Sequence, residues 1–219
     1  MKYQAINFDH LLGLEGFSDQ LLTNHFTLYK GYVENTNKLV DMLSDMVKEG
    51  ETKTTEFAEL NRRFGWEFNG MRLHEYYFSS LTKDTPTLDQ SSNLFEKIKE
   101  SFGNFENWEK DFRAVGALRG IGWAILYYEP VGDQLFNVWV DEHDMGHLSG
   151  ASPLLVLDVF EHAFITDYGL NRGDYIEAFF KAIDWTTVGR RLAVASSQNT
   201  ELGDKGVELA LFNASAGLR

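Results

Sequence analysis

The most restrictive stretch of the chain is Leu154-Leu155-Val156-Leu157-Asp158-Val159-Phe160-Glu161-His162-Ala163-Phe164. An apolar run of strand length meets a carboxylate at Asp158 and, four residues on, an imidazole at His162. An ionised carboxylate among apolar residues is costly unless something positive satisfies it. If the strand gives way to a helical turn at Asp158, the i, i+4 spacing sets Asp158 and His162 side by side. Oxygen and nitrogen donors meeting in apolar surroundings are what a divalent or trivalent metal ion requires. A capping Asp beside a hydrogen-bonded core His fits the same spacing, and spacing alone leaves both readings open.

The elements around this stretch predict an α+β chain. Ser18 is a good N-cap, and Leu21, Leu22, Phe26, Tyr29, Val33 and Leu39 continue an apolar stripe, so a long helix is expected from about 19 to 48, ending near Gly50. A second helix is expected from about Thr55 to just before Lys83, and the pair forms an antiparallel helical hairpin. Shorter helices follow, Leu94 to Phe102 and Trp108 to Leu118. Gly122–Tyr128 and Leu135–Val140 then read as two strands around a Gly-Asp turn, with a third strand over 153–158. Helices over about 172–184 and 186–195 complete the pattern. The expected organisation is therefore a helical hairpin domain (1–88), an α/β domain with a three-stranded antiparallel sheet (89–195), and a small, polar tail (196–219) whose apolar patch is Val207–Phe212.

Composition narrows the chemistry. With 219 residues there is enough chain for a substantial core. A formal charge of -13 argues against nucleic acid or an anionic membrane surface as partner. The absence of Cys means that any metal must be held by nitrogen and oxygen donors. Nothing near Met1 has the apolar core of a signal peptide, and no run reaches membrane-spanning length, so a soluble cytoplasmic protein is expected. The six His stand at positions 10, 25, 74, 143, 147 and 162.

The segment Asp158-Val159-Phe160-Glu161-His162-Ala163-Phe164, continued by Asp167-Tyr168, Asn171-Arg172, Asp174-Tyr175 and Asp184-Trp185, strongly resembles the C-terminal signature of the iron/manganese superoxide dismutases. Ser101-Phe102-Gly103-Asn104-Phe105 and Gly120-Ile121-Gly122-Trp123-Ala124 look like two further family segments. Tyr32-Val33, Asn35 and Asn37 after His25 look like a third, and the resemblance spans about residues 5 to 192. It implies a helical hairpin followed by an α/β part. It also implies one iron or manganese ion per subunit, alternating between +3 and +2 as superoxide is converted to O2 and H2O2.

Carried over residue by residue, the resemblance gives His25, His74, Asp158 and His162 as metal ligands. It gives Tyr32 and His143 as catalytic groups beside the metal-bound solvent, His143 standing where the family has a solvent-holding Gln. Trp123 and Phe160 form an apolar wall, and Arg172 is the cation at the rim of the substrate funnel. Glu161 crosses a two-fold interface to the partner's ligand His, which implies a homodimer or higher oligomer. Tyr32 follows His25 by seven positions, one fewer than the family's interval, so a regular first helix is expected here where the family has a local bulge. Gly70 lies one turn before His74 and leaves room beside it.

The chain also departs from the pattern. Tyr29 stands in the stretch where the family has a His, and Phe164-Ile165 replace its Tyr-Tyr, so both sides of a gateway hydrogen bond are absent together. A catalytically weak or inactive scaffold acting in binding or assembly is the alternative reading. Zinc would accept the same donors but has no accessible redox step.

Overall fold

The computed structural model describes residues 2–84 and 87–203. Helix α1 (Asp19–Glu49) starts where the Ser18 hydroxyl accepts the Leu21 amide, and stops at Gly50, whose φ of 78° closes the last turn. Its buried residues recur every three or four positions from Leu21 to Leu39, and His25 and Tyr32 belong to that stripe. Helix α2 (Thr55–Phe78) is capped by Thr54 and pairs with α1. It ends several residues before the expected point. The Ser79 and Ser80 hydroxyls bond back to the carbonyls of Glu75 and Tyr76, and Leu81 leaves the helix to bridge Ile183.

Two short amphipathic helices follow, α3 (Asn93–Phe102) and α4 (Phe105–Gly116). The second begins three residues earlier than Trp108, because the Asn104 side chain accepts the Asn107 amide at 2.7 Å. Strands β1 (Gly122–Glu129), β2 (Gln134–Asp141) and β3 (Ser152–Asp158) form an antiparallel sheet in the order β2-β1-β3. Central β1 is buried throughout except at Glu129. Pro153, which cannot donate to a ladder, sits on edge strand β3 beside its register shift opposite Leu126/Tyr127.

After β3 come a one-turn α5 (Ile165–Tyr168), α6 (Arg172–Ala182) and α7 (Trp185–Gly203). Helix α7 continues past the expected end near 195, with Ser196 and Ser197 hydroxyls bonding back to the Ala193 and Val194 carbonyls. The Val207–Phe212 patch lies outside the described residues. Half-buried Arg191 on α7 donates to Tyr76 O, Ser79 Oγ, Ser80 Oγ and Leu154 O, which clamps the end of α2 to β3. Burial lowers its guanidinium to a pKa of about 10. A single apolar cluster runs from Phe8 to Ala195, and among the described residues no helix is long and apolar enough to cross a membrane.

Candidate metal centre

Four chain segments converge below the α1–α2 pair. His25 comes from α1, His74 from α2, Asp158 from the last position of β3 and His162 from a 3-10 turn over Glu161–Ala163. The expected helical turn at Asp158 is not formed. Phe160 is extended (φ -65°, ψ 152°), and Asp158 Oδ1 accepts the Phe160 amide at 2.9 Å. This Asx turn reaches the same result by another route. It ties up Oδ1 and leaves Oδ2 facing three imidazoles, His25 Nε2 at 3.1 Å, His162 Nε2 at 3.2 Å and His74 Nε2 at 3.6 Å. The four side chains each offer a ligand atom, all within 4.8 Å of one another.

Hydrogen bonding then tests whether a metal fits. His74 Nδ1 lies 2.6 Å from the Gly70 carbonyl, which can only accept, so the ring proton sits on Nδ1 and the lone pair on Nε2. That Nε2 is fully buried and has no hydrogen-bond partner. A buried unsatisfied polar atom costs about 1–3 kcal/mol. A cation among these four donors would satisfy it, and an all N/O donor set of this kind suits iron or manganese. Burial lowers the pKa of His25, and that of His74 further, which keeps their rings neutral and able to ligate. Burial by itself would raise the Asp158 pKa, yet the neighbouring His162 and His25 hold it well below the usual carboxylate range. The arrangement is a carboxylate ringed by three imidazoles.

A hydrogen-bonded pair of side chains stands beside the cluster. His143 is fully buried, and its Nδ1 lies 3.1 Å from Trp123 Nε1. An indole N–H can only donate, so Nδ1 carries the lone pair and the other ring nitrogen the proton. His143 Nε2–H therefore donates to Tyr32 Oη at 2.8 Å, and burial lowers the pKa of His143 to about 4. Tyr32 reaches this position from an α1 that is regular throughout Asp19–Glu49, as its seven-residue interval predicted. Its ring stacks on His74 at 5.1 Å and fills the space beside Gly70, where a Cβ would lie 2.6 Å from Tyr32 Cδ1.

Trp123 and Phe160 pack against His74 and His162, giving the cluster an aromatic wall. Tyr175 Oη donates to the Asp158 carbonyl at 2.7 Å, with Tyr77 behind it, and so fixes the end of β3. Arg172 is not in contact with the cluster, because its guanidinium donates to the Leu118 and Gly120 carbonyls and lies over Phe164. Glu161 is exposed, and its carboxylate makes no hydrogen bond or ion pair among the described residues. Tyr29 ties the N-terminal segment down, donating to Glu75 and accepting the Ile6 amide, with its pKa pushed up to about 12 by burial.

Trp66 was missed in the sequence, although Trp66, Gly70 and His74 form an i, i+4, i+8 stripe on α2. Its ring lies 4.4 Å from that of His143, Arg63 covers it at 3.8 Å, and its Nε1 donates to Glu142. A cavity of about 910 Å³, bordered by Phe95, Phe105, Phe180 and Trp185, includes none of the four clustered donors.

Comparison with known proteins agrees with this geometry. Residues 90–191 match the family described as iron/manganese superoxide dismutases, C-terminal domain. The chain is 37% identical to superoxide dismutase [Mn] 2 of Haloferax volcanii over 169 residues, 77% of this chain and 83% of that protein. It is 34% identical to superoxide dismutase [Fe] of Aquifex pyrophilus over 203 residues, 90% and 94% of the two lengths. A similar match, 34% over 189 residues, is found with superoxide dismutase [Fe] of Cupriavidus metallidurans.

Proposed function

The chain belongs to the iron/manganese superoxide dismutases and is an iron- or manganese-dependent enzyme of that kind, and from this premise we propose the roles of its residues. His25, His74, Asp158 and His162 hold one ion per subunit. When bound, iron or manganese supplies a one-electron couple between +3 and +2 for the overall change of two superoxide anions and two protons into O2 and H2O2.

The chain's own residues do the rest. Trp123 and Phe160 keep bulk water from the donors. His143 donates into Tyr32 Oη, so the Tyr32 hydroxyl proton is free to point toward the open side of the cluster. Tyr32 is the group that passes a proton toward the peroxide product, and burial, which raises its pKa, keeps that proton in place until it is needed. Arg172 provides a local positive charge on the approach of an anion to a chain of net charge -13. Glu161 of one subunit meets His162 of the other across a two-fold axis, which makes the working enzyme a homodimer or a higher homo-oligomer. The exposure of Glu161 without an internal partner supports this. Division near residue 88 into a hairpin domain and an α/β domain is supported by the family match over residues 90–191, while α7 runs past 195 to Gly203.

The observation that carries the reading is the His74 imidazole, locked by Gly70 with its lone pair turned, unpartnered, toward Asp158. Metal analysis of purified protein combined with a superoxide-decay assay tests it. About one iron or manganese per chain, with decay that disappears on metal removal and returns on reloading, is the expected result. A protein that binds neither ion, or accelerates decay no more after loading, has no such role.

A further inference from the structure

His143 reaches Tyr32 from a short loop whose backbone is under strain. Strand β2 ends at Asp141, and the next residue, Glu142, has a φ of 49°, the left-handed region that a non-Gly residue rarely adopts. Such conformations persist only where the surroundings hold them. Asp141 and Met145 exchange backbone hydrogen bonds at 2.8 and 3.3 Å, which makes the loop tight but leaves its tilt against α2 unset. His147, bonded to Tyr127, holds the His143 carbonyl from the sheet side at 2.9 Å, and one side-chain hydrogen bond ties the loop to α2. Glu142 Oε2 accepts the Trp66 indole N–H at 3.0 Å.

Trp66 is itself held on both sides. Arg63 covers one face, and the His143 ring meets it edge-on at 4.4 Å and 67°. Arg63 is fixed by buried Glu67, through Nε at 2.8 Å, and Glu67 also takes the Asn35 amide of α1 at 3.3 Å. A continuous set of contacts therefore runs from α1 through α2 to the residue just before His143.

We propose that Trp66 and Glu142 are positioning residues for the dismutation reaction: their indole–carboxylate bond holds the loop so that His143 Nε2 stays on Tyr32, and so sets how tightly the site takes a small anion. This rests on the reading that His143 and Tyr32 serve the site. Neither Trp66 nor Glu142 bonds to the four donors, but the Trp66 ring also meets Tyr32 at 5.5 Å, so Glu142 is the residue whose effect passes through the loop and His143.

The test uses the full chain, metal-free and iron-loaded, with the variants Trp66→Phe, Glu142→Ala and Glu142→Gln. Glu142 is exposed, so its replacement leaves the core intact. In metal-free protein labelled with 15N-tryptophan, the Trp123 indole N–H reports on His143 directly, because the two are hydrogen-bonded. Trp66→Phe and Glu142→Ala should each move that resonance. In ferric protein each should weaken azide binding by about 5-fold, the size expected for one lost hydrogen bond. Glu142→Gln, which keeps an acceptor, should restore most of the loss. The Trp66→Phe/Glu142→Ala double variant should be no weaker than the worse single one. An unmoved Trp123 resonance in both single variants overturns the proposal, as do additive losses in the double. His143→Ala separates the two ideas: if it leaves azide affinity unchanged while the Trp123 resonance does respond to the tether, the tether stands and the reading of His143 falls.

Discussion

The His74–Asp158 cluster and the His143–Tyr32 pair are neighbours, both deeply buried and both built from imidazole and oxygen. They differ in one respect. Each ring nitrogen of His143 has a partner, Trp123 on one side and Tyr32 on the other. In the cluster, His74 Nε2 has none, and three imidazoles crowd a single carboxylate oxygen. Buried polar groups are almost always satisfied within a protein, so a site that leaves them open is built to be completed by something else. A site that is already satisfied orients rather than ligates.

Substitutions at the two places should behave in opposite ways, and the largest contrast is at His74. His74→Leu should abolish metal binding and lower dismutation by at least about 100-fold. The same change should leave the melting temperature of the metal-free protein unchanged or raise it, since it removes an unpartnered buried nitrogen. A metal-free variant that melts much lower would mean the cluster is stable as a hydrogen-bonded core, and the contrast with His143 would fail.

Gly70→Ala comes next. In a helix interior this change normally gains up to about 1 kcal/mol. Here the new Cβ would meet the Tyr32 ring at 2.6 Å, so a net loss of about 1–3 kcal/mol is expected from overpacking, together with lower activity. Calorimetry and steady-state kinetics on the same preparation check both. A stabilised, fully active Gly70→Ala protein would show that Tyr32 has room to move.

At the satisfied pair, His143→Ala should lower kcat more than it lowers metal content, by about 10-fold, while His143→Gln should recover much of that loss. An amide can donate to Tyr32 and accept from Trp123 as the imidazole does. Equal losses in both variants would deny that the hydrogen bonds matter.

The smallest effect is in pH dependence. A free imidazole titrates near 6.5, and burial lowers that of His143 to about 4 in the fold. Its contribution to the stability of metal-free protein is complete above about 6.5 and is lost as pH falls toward about 4. Denaturant unfolding across that range should show falling stability, with a shallower slope in His143→Gln. An identical slope would show that His143 protonates as easily folded as unfolded.

Much of the site was legible because its members lie on periodic or abrupt features. His25 falls on the apolar stripe of α1, and Asp158 interrupts an apolar strand. The seven-residue step to Tyr32 predicted a regular helix, and that regularity is what turns its ring onto Gly70. The route from Asp158 to His162 was not legible, since an Asx turn and a helical turn share the same i, i+4 spacing. Helix ends were read less well for a related reason. Ser79 and Ser80 at the end of α2 bond to carbonyls four residues back, whereas Ser196 and Ser197 bond to carbonyls three residues back inside α7 without stopping it. Trp66 and Glu142 meet only through tertiary structure, between residues 76 positions apart.

The most direct test of the central claim is anomalous diffraction at the iron and manganese edges from metal-replete crystals. A single peak per chain, bounded by the Nε2 atoms of His25, His74 and His162 and by Asp158 Oδ2, is the predicted result. No peak there, or one held by other side chains, would contradict it.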